Sequence, residues 1–541
     1  MRIRKRKNLK RKNCAIVFLF LCPLLGTLTY ASVVIYILYD INSFTFELEP
    51  PNTDYFYDID DIDLNRLEEM AHIFDYRVRK FNSPIGISVG VTFKNHSYTY
   101  DAIDYWHGTD NGAEAVAYSL AAACYRYKVA LDAEDLVELE NATSDVKFFV
   151  KALGNLIAAP NGGLGINPDT GNYYPGILSR FACSYQDAKK YHPFMLEEHR
   201  KHHNGTGDYH NWRVRLETSR DEVSAYFMAW ASVLKYIDPT ENKDSKWCVD
   251  QVKLMVDQVL HHWKVESNWL VLDHDGTPTG SDINPADWQL VALRIGATAN
   301  PEKYESLYNY VAAKMMHMMD ASMGDWMNAG FEYYGLGLGA QNMHTLIILE
   351  DNPNLRYHYI KNYENGFYQI VKYHRQLYFN MLHLIFMEML NNEQRARFEN
   401  SDYDDDMVRW DVLDQLWRFH TSNWCPMRDY NLTQRPHSTR STSLNPEIRE
   451  KELDPTRQKW ITFFNEHPLG HLFSWMDEAF GIDKKIYLVA RTVSEYWAGP
   501  MIWQNSPFEN EGGNPNSDGL TEDPGNSYTL VYWLGRIYDI I

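Results

Sequence analysis

No stretch of the chain reads Gly-x-Ser-x-Gly, Gly-Lys-Ser/Thr or His-Glu-x-x-His. The serine-hydrolase, nucleotide-hydrolase and zinc-protease readings therefore lose their usual support. Cysteine is scarce as well, six in 541 residues, and two of them (Cys14, Cys22) sit in an apolar run. The other four, Cys124, Cys183, Cys248 and Cys425, are spaced too widely for a zinc pattern, and they leave room for core thiols or one or two disulfides. Basic residues are outnumbered: 52 Lys+Arg face 72 Asp+Glu, a net charge of -20, and eight of the 52 lie in the first twelve positions. A body that acidic repels phosphate backbones, which argues against nucleic acid as a partner. No metal ligands and no cofactor are expected.

What is present is a large core and one long apolar run. Hydrophobic residues make up 45% of the chain and aromatics 14%, which rules out whole-chain disorder. Cys14 to Tyr39 runs 26 residues without a charge, and a membrane-spanning helix needs about 20 apolar residues. Residues 1–12 then read as a basic cytosolic tail and 13–39 as an uncleaved signal-anchor. Leu28-Thr-Tyr-Ala31 offers a cleavage site, but the run is longer than a signal peptide's apolar region of about 7 to 15 residues. Residues 40–62 are an acidic stalk, since Asp40 to Asp63 holds eight acids and no Lys or Arg. The positive-inside bias makes this a single-pass type II membrane protein whose body is lumenal or extracellular, on the route to the Golgi or cell surface. Four glycosylation triplets, at Asn95, Asn141, Asn204 and Asn431, lie on the expected lumenal side.

From Asp63 onward the sequence is patterned as helices, with one convincing short strand at Ile87–Phe93. Helical spacing recurs near 63–81, 111–129, 134–157, 219–237, 246–264, 286–297, 302–320, 340–350, 355–373, 376–390, 405–419, 469–480, 484–497 and 526–539. The clearest case begins at Asp221, where Val223, Tyr226, Phe227, Trp230, Val233, Leu234 and Ile237 trace one apolar stripe. Ser219-Arg-Asp-Glu222 at its start is a capping box, with Ser219 and Glu222 satisfying each other's backbone. Three turn-rich stretches, Pro160–Gly176, Trp269–Gly280 and Phe508–Gly525, separate helices. In the second, Asp275-Gly276 between alternating apolar residues marks a hairpin turn.

Three passages carry a resemblance: Glu217-Thr-Ser-Arg-Asp221 opening a helix, Trp269-Leu-Val-Leu-Asp-His-Asp-Gly-Thr-Pro-Thr279, and Asp518 to Tyr538. The chain resembles the α/α toroids, six- or seven-hairpin barrels shared by glycan-active hydrolases, lyases and epimerases. The resemblance implies an all-α fold over 63–541, a single toroid with short β-hairpin loops, and a central cavity lined by aromatics and carboxylates. It also leaves open carbocation chemistry on isoprenoid alcohols. It assigns no catalytic residue, because one fold hosts unrelated chemistries.

Glycoside cleavage needs two carboxylates about 5 to 10 Å apart, and the loops offer several. Asp221, Glu222, Asp518 and Glu522 are the catalytic candidates, with Asp273, Asp275, Asp282, Glu511 and Asp523 nearby in sequence. Asp221 leads, because Glu222 is the better fit to the capping bond. Arg220, Trp288, Trp503 and His344 are candidate substrate-binding residues, the indoles for stacking on a sugar face and His344 for proton transfer. The Ser219–Glu222 helix start, the Asp273–Asp282 hairpin and the Glu511–Asp523 loop are expected to converge on one acidic cavity with Trp or Tyr walls. The resulting expectation is a membrane-anchored lumenal glycosidase-like hydrolase. A uronate lyase or epimerase, or a glycan-binding toroid without turnover, stays open, so catalysis itself is undecided at this stage.

Overall fold

In the computed structural model, the described residues are chiefly 56–282, 286–322, 333–398, 402–419 and 520–541. The chain divides into two units, Glu49–Arg449 with Lys485–Ile541, and Met1–Leu48 with Glu450–Lys484. The second unit lies outside the described residues, and with it the expected membrane segment 13–39. The helices expected at 469–480 and 484–497 also lie outside the described residues, but for isolated positions. Among the described residues no helix is long and apolar enough to cross a membrane.

The first unit is dominated by helices, with small sheets at their connections. Helix α1 (Leu64–Arg77) starts where Asp63 accepts the N–H groups of Asn65 and Arg66, and its Leu67, Met70, Ala71 and Phe74 face inward. Strands β1 (Gly90–Phe93) and β2 (Ile103–His107) pair antiparallel. Then come α2 (Gly112–Asp132), α3 (Leu136–Asn161), β3 (Phe181–Ser184), the short α4 (Tyr185–Tyr191), β4 (His202–Asn204) and β5 (Trp212–Arg215). They are followed by α5 (Arg220–Tyr236), α6 (Lys243–His261), the hairpin β6 (Leu270–Leu272) and β7 (Pro278–Asp282), α7 (Ala286–Ala299) and α8 (Pro301–Ser322). The chain continues with α9 (Tyr333–Leu349), α10 (Pro353–Asn362), α11 (Leu377–Glu388), α12 (Asp405–Arg418), β8 (Thr521–Glu522) and α13 (Asn526–Ile537).

Within the described residues, five largely buried helices contact one another in the order α2–α5–α9–α11–α13, with α13 returning to α2. A helix apolar on all faces belongs in such a position. Gly112 at the start of α2 lies against Phe181 and the Arg180 carbonyl, where a side chain would not fit. Against the five helices lie α1 on α13, α3 on α2, α6 on α3 and α5, and α12 on α11, while α7 touches α5, α6 and α9 and carries α8. On α5 the expected stripe is buried, with Trp230 fully enclosed. Removing that indole would cost about 3–5 kcal/mol.

The two ends of the unit are fastened together. β8 joins the free edge of β1, and Glu522 on β8 forms a two-toothed ion pair with Arg77 at the end of α1, its Nε–Oε1 distance 2.8 Å. Tyr528 donates to the Leu67 carbonyl at 2.8 Å and the Trp533 indole to Asp75 at 2.9 Å. The Tyr57 N–H reaches Asp414 at 2.8 Å. Sequence patterning gave one strand and a hairpin. The remaining strands are two to five residues long, too short for alternation to declare itself.

Cys124, Cys183 and Cys248 are buried free thiols. Asn95, Asn141 and Asn204 are exposed. Asn141 stands on α3, where the hydroxyl of its triplet partner Thr143 is turned inward onto the Leu139 carbonyl. Asn431 lies outside the described residues.

Candidate functional site

At the start of α5, local sequence has one solution. Ser219 is extended and precedes the first turn. Its N–H donates to Glu222 Oε2 at 2.7 Å and its hydroxyl to the same oxygen at 3.0 Å, with Thr218 Oγ1 adding a bond at 3.1 Å. The capping box forms, and it draws Glu222 to 0% exposure. Burial pushes the Glu222 carboxyl up to about 7, even with Arg180 Nη1 lying 3.2 Å from Oε1. Arg180 is itself fixed by the carbonyls of Glu217 (2.6 Å) and Asp110 (2.9 Å).

Asp221 next to it is different. It is half-buried, and its carboxylate accepts no bond from another described residue. Burial raises its pKa above the ordinary aspartate range, with Arg180 opposing. An unengaged carboxylate with a raised pKa, next to a fixed guanidinium, is equipped to hold and release a proton.

The polar chain continues into the neighbouring helices. Ser224 Oγ donates to Gln341 Oε1 on α9 at 3.1 Å, and Gln341 meets Tyr118 on α2. The Tyr118 hydroxyl donates to Glu114 Oε1 at 3.1 Å. Glu114, Tyr118, Arg180 and Gln341 escaped the sequence reading. One signal was available: Glu114 is the single acid in the apolar run Gly112–Tyr125.

No family model, no curated protein and no solved structure matches the chain. The site's chemistry therefore rests on its own geometry.

The other candidates are scattered. Glu522, a catalytic candidate from sequence, is 2% exposed and clasped by Arg77, where it fastens the ends of the chain. Asp523 beside it makes no hydrogen bond among the described residues, and burial with the Glu522 charge pushes it up to about 6. Asp518, Glu511 and Trp503 lie outside the described residues. Trp288 is an interior side chain, its ring 6.0 Å from Phe227. His344 is fully enclosed, bonded through Nδ1 to the Tyr378 hydroxyl at 2.9 Å, and burial pulls its pKa down to about 3, so it is neutral. Arg220 is exposed at the first position of α5.

Asp275 and Gly276 make the expected hairpin turn, with Gly276 at φ +78° and Asp275 accepting from Thr277. His274 of that turn lies against His203 of β4, their ring centres 4.0 Å apart and their planes inclined at 44°. No hydrogen bond or ion pair between described residues joins this hairpin, the α5 start and the β8 loop. Among the described residues no group of three or more metal-ligating side chains is assembled.

Proposed function

We propose that the first unit is an α/α toroid and that the start of α5 is the acid arm of a glycosidase-like active site. The order of helix contacts, returning from α13 to α2, supports the ring. The observation that carries the chemistry is Asp221: half-buried, unengaged, raised in pKa and held beside Arg180. In this reading Asp221 protonates the leaving glycosidic oxygen. Glu222 is a positioning residue that locks the helix start and orients Arg180. Asp518, three positions before β8 in the sequence and outside the described residues, is proposed to supply the second carboxylate that such cleavage requires.

The rival uronate lyase or epimerase needs a base that can reach a substrate carbon, and the enclosed, neutral His344 does not offer one. The protein is proposed to act as a type II membrane protein with its body in the lumen of the secretory route or outside the cell. The test is hydrolysis of a broad glycan panel by the full-length chain and by Asp221→Asn. A loss of about a thousandfold in turnover, within the usual range for removing a general acid, supports the reading. A protein that binds a glycan and leaves it unchanged is the non-catalytic toroid instead.

A further inference from the structure

A cavity of about 470 Å³ opens beside the α5 start, between the end of β2 and the turn at His192–Glu197. Its volume lies in the range of about 300–1,000 Å³ usual for small-molecule sites. The lining is rich in aromatics: Tyr105 and Phe194 are 53% and 41% exposed. Trp106 is half-buried, packed edge-on against Tyr191, with its indole N–H fixed on the Phe81 carbonyl at 2.7 Å. Gly108, at φ +85°, turns the chain out of β2 so that Thr109 and Asp110 form the rim.

The polar groups are selective in what they leave free. Arg215 at the floor is 5% exposed; its terminal nitrogens are committed, to Asp110 Oδ1 at 2.5 Å and Thr109 Oγ1 at 3.2 Å, its Nε is buried without a hydrogen-bond partner among the described residues, and its guanidinium lies 5.3 Å from the Phe194 ring centre. Lys201, the next cation, is shared between Asp110 and Glu217. The Glu197 carboxylate has no partner among the described residues. His192 lines the same cavity, 2% exposed, with neither ring nitrogen hydrogen-bonded. Buried polar groups of that kind are rare unless a bound molecule or water completes them. The lining therefore offers acceptors for hydroxyl groups and apolar rings, and among the described residues no exposed cation to attract an acid.

We infer that this cavity is a binding subsite for a neutral sugar of one or two pyranose rings, its C–H face on Phe194 and Tyr105 and its hydroxyls donating to Glu197 and Asp110. The inference rests on the proposed function only for the sugar class of the ligand, and it names that class as neutral rather than uronic. Arg180, which bonds both the Asp110 carbonyl and Glu222, ties the subsite to the α5 start.

The test uses the full-length chain with maltose, cellobiose, lactose and glucuronic acid as probes, read by ligand-observed NMR and tryptophan fluorescence. At least one neutral disaccharide should bind, and Phe194→Ala should weaken it about tenfold, the loss of one stacking contact. Glu197→Gln should weaken it severalfold, and both side chains are exposed enough to change without unfolding the chain. Tighter binding of glucuronic acid, binding indifferent to Phe194→Ala, or no binding of any neutral sugar overturns the inference. Neutral-sugar binding without turnover leaves it standing and defeats only the catalytic reading.

Discussion

Arg77 and Glu522 are 445 positions apart and are 1% and 2% exposed, so neither charge can be rehydrated when the other is removed. Glu522→Ala leaves a buried guanidinium against Phe81, whose ring centre lies 4.7 Å away, and should cost about 3–5 kcal/mol. Arg77→Met should cost a similar amount, by stranding the carboxylate. The double change Arg77→Met with Glu522→Leu removes both charges and should cost less than either alone, because desolvating an ion pair nearly cancels its attraction. Urea unfolding of the full-length chain, followed by tryptophan fluorescence, gives the cycle. A coupling energy of about 2 kcal/mol or more is expected. Additive single effects, with coupling near zero, would refute the fastening role of this pair. The same cycle addresses function: a clasp lowers stability and leaves turnover intact at low denaturant, whereas a reacting carboxylate does the reverse.

His383 on α11 sits between Glu364 (2.8 Å) and Asp405 (3.1 Å), with Tyr368 stacked 4.0 Å above it. Burial works against its charge, but the two carboxylates outweigh it and hold its pKa up at about 9. Its stabilising contribution is therefore fully present below pH 6.5 and is lost as pH rises to about 9. The full shift is worth about 3 kcal/mol, and unfolding curves of His383→Gln should lack that slope. Glu222→Ala should destabilise by about 2 kcal/mol or more, through the lost capping box and an unpaired Arg180, while Glu222→Gln recovers part of the loss. Protease added to sealed microsomes should spare the large C-terminal body. Complete digestion without detergent would reverse the proposed topology.

Legibility followed the range of the interactions. The capping box and apolar stripe of α5 are encoded within 19 residues, and both form where the spacing puts them. The Asp275-Gly276 turn is likewise local, since only that dipeptide needs a left-handed glycine there. Arg180, by contrast, reaches Glu222 from the β3 approach 42 positions earlier, and nothing in its own neighbourhood announces it. Glu522 looked like a loop carboxylate because its partner lies at the other end of the unit. The same holds for β8, whose two residues become a strand only by borrowing the edge of β1. His344 and Trp288 sit in expected helices whose local sequence does not say which side chains face a cavity, and tertiary burial encloses both.

The central claim is that Asp221 is a proton donor to a sugar substrate, and its pH profile tests this most directly. The acid form is the active one, so turnover of a neutral glycan by the full-length chain should fall as pH rises through a pKa above the ordinary aspartate range. Asp221→Asn should abolish that limb with about a thousandfold loss of kcat, while stability stays within about 0.5 kcal/mol and glycan binding is unchanged. Full turnover by Asp221→Asn, or a wild-type chain that binds neutral glycans and never cleaves them, would contradict the account.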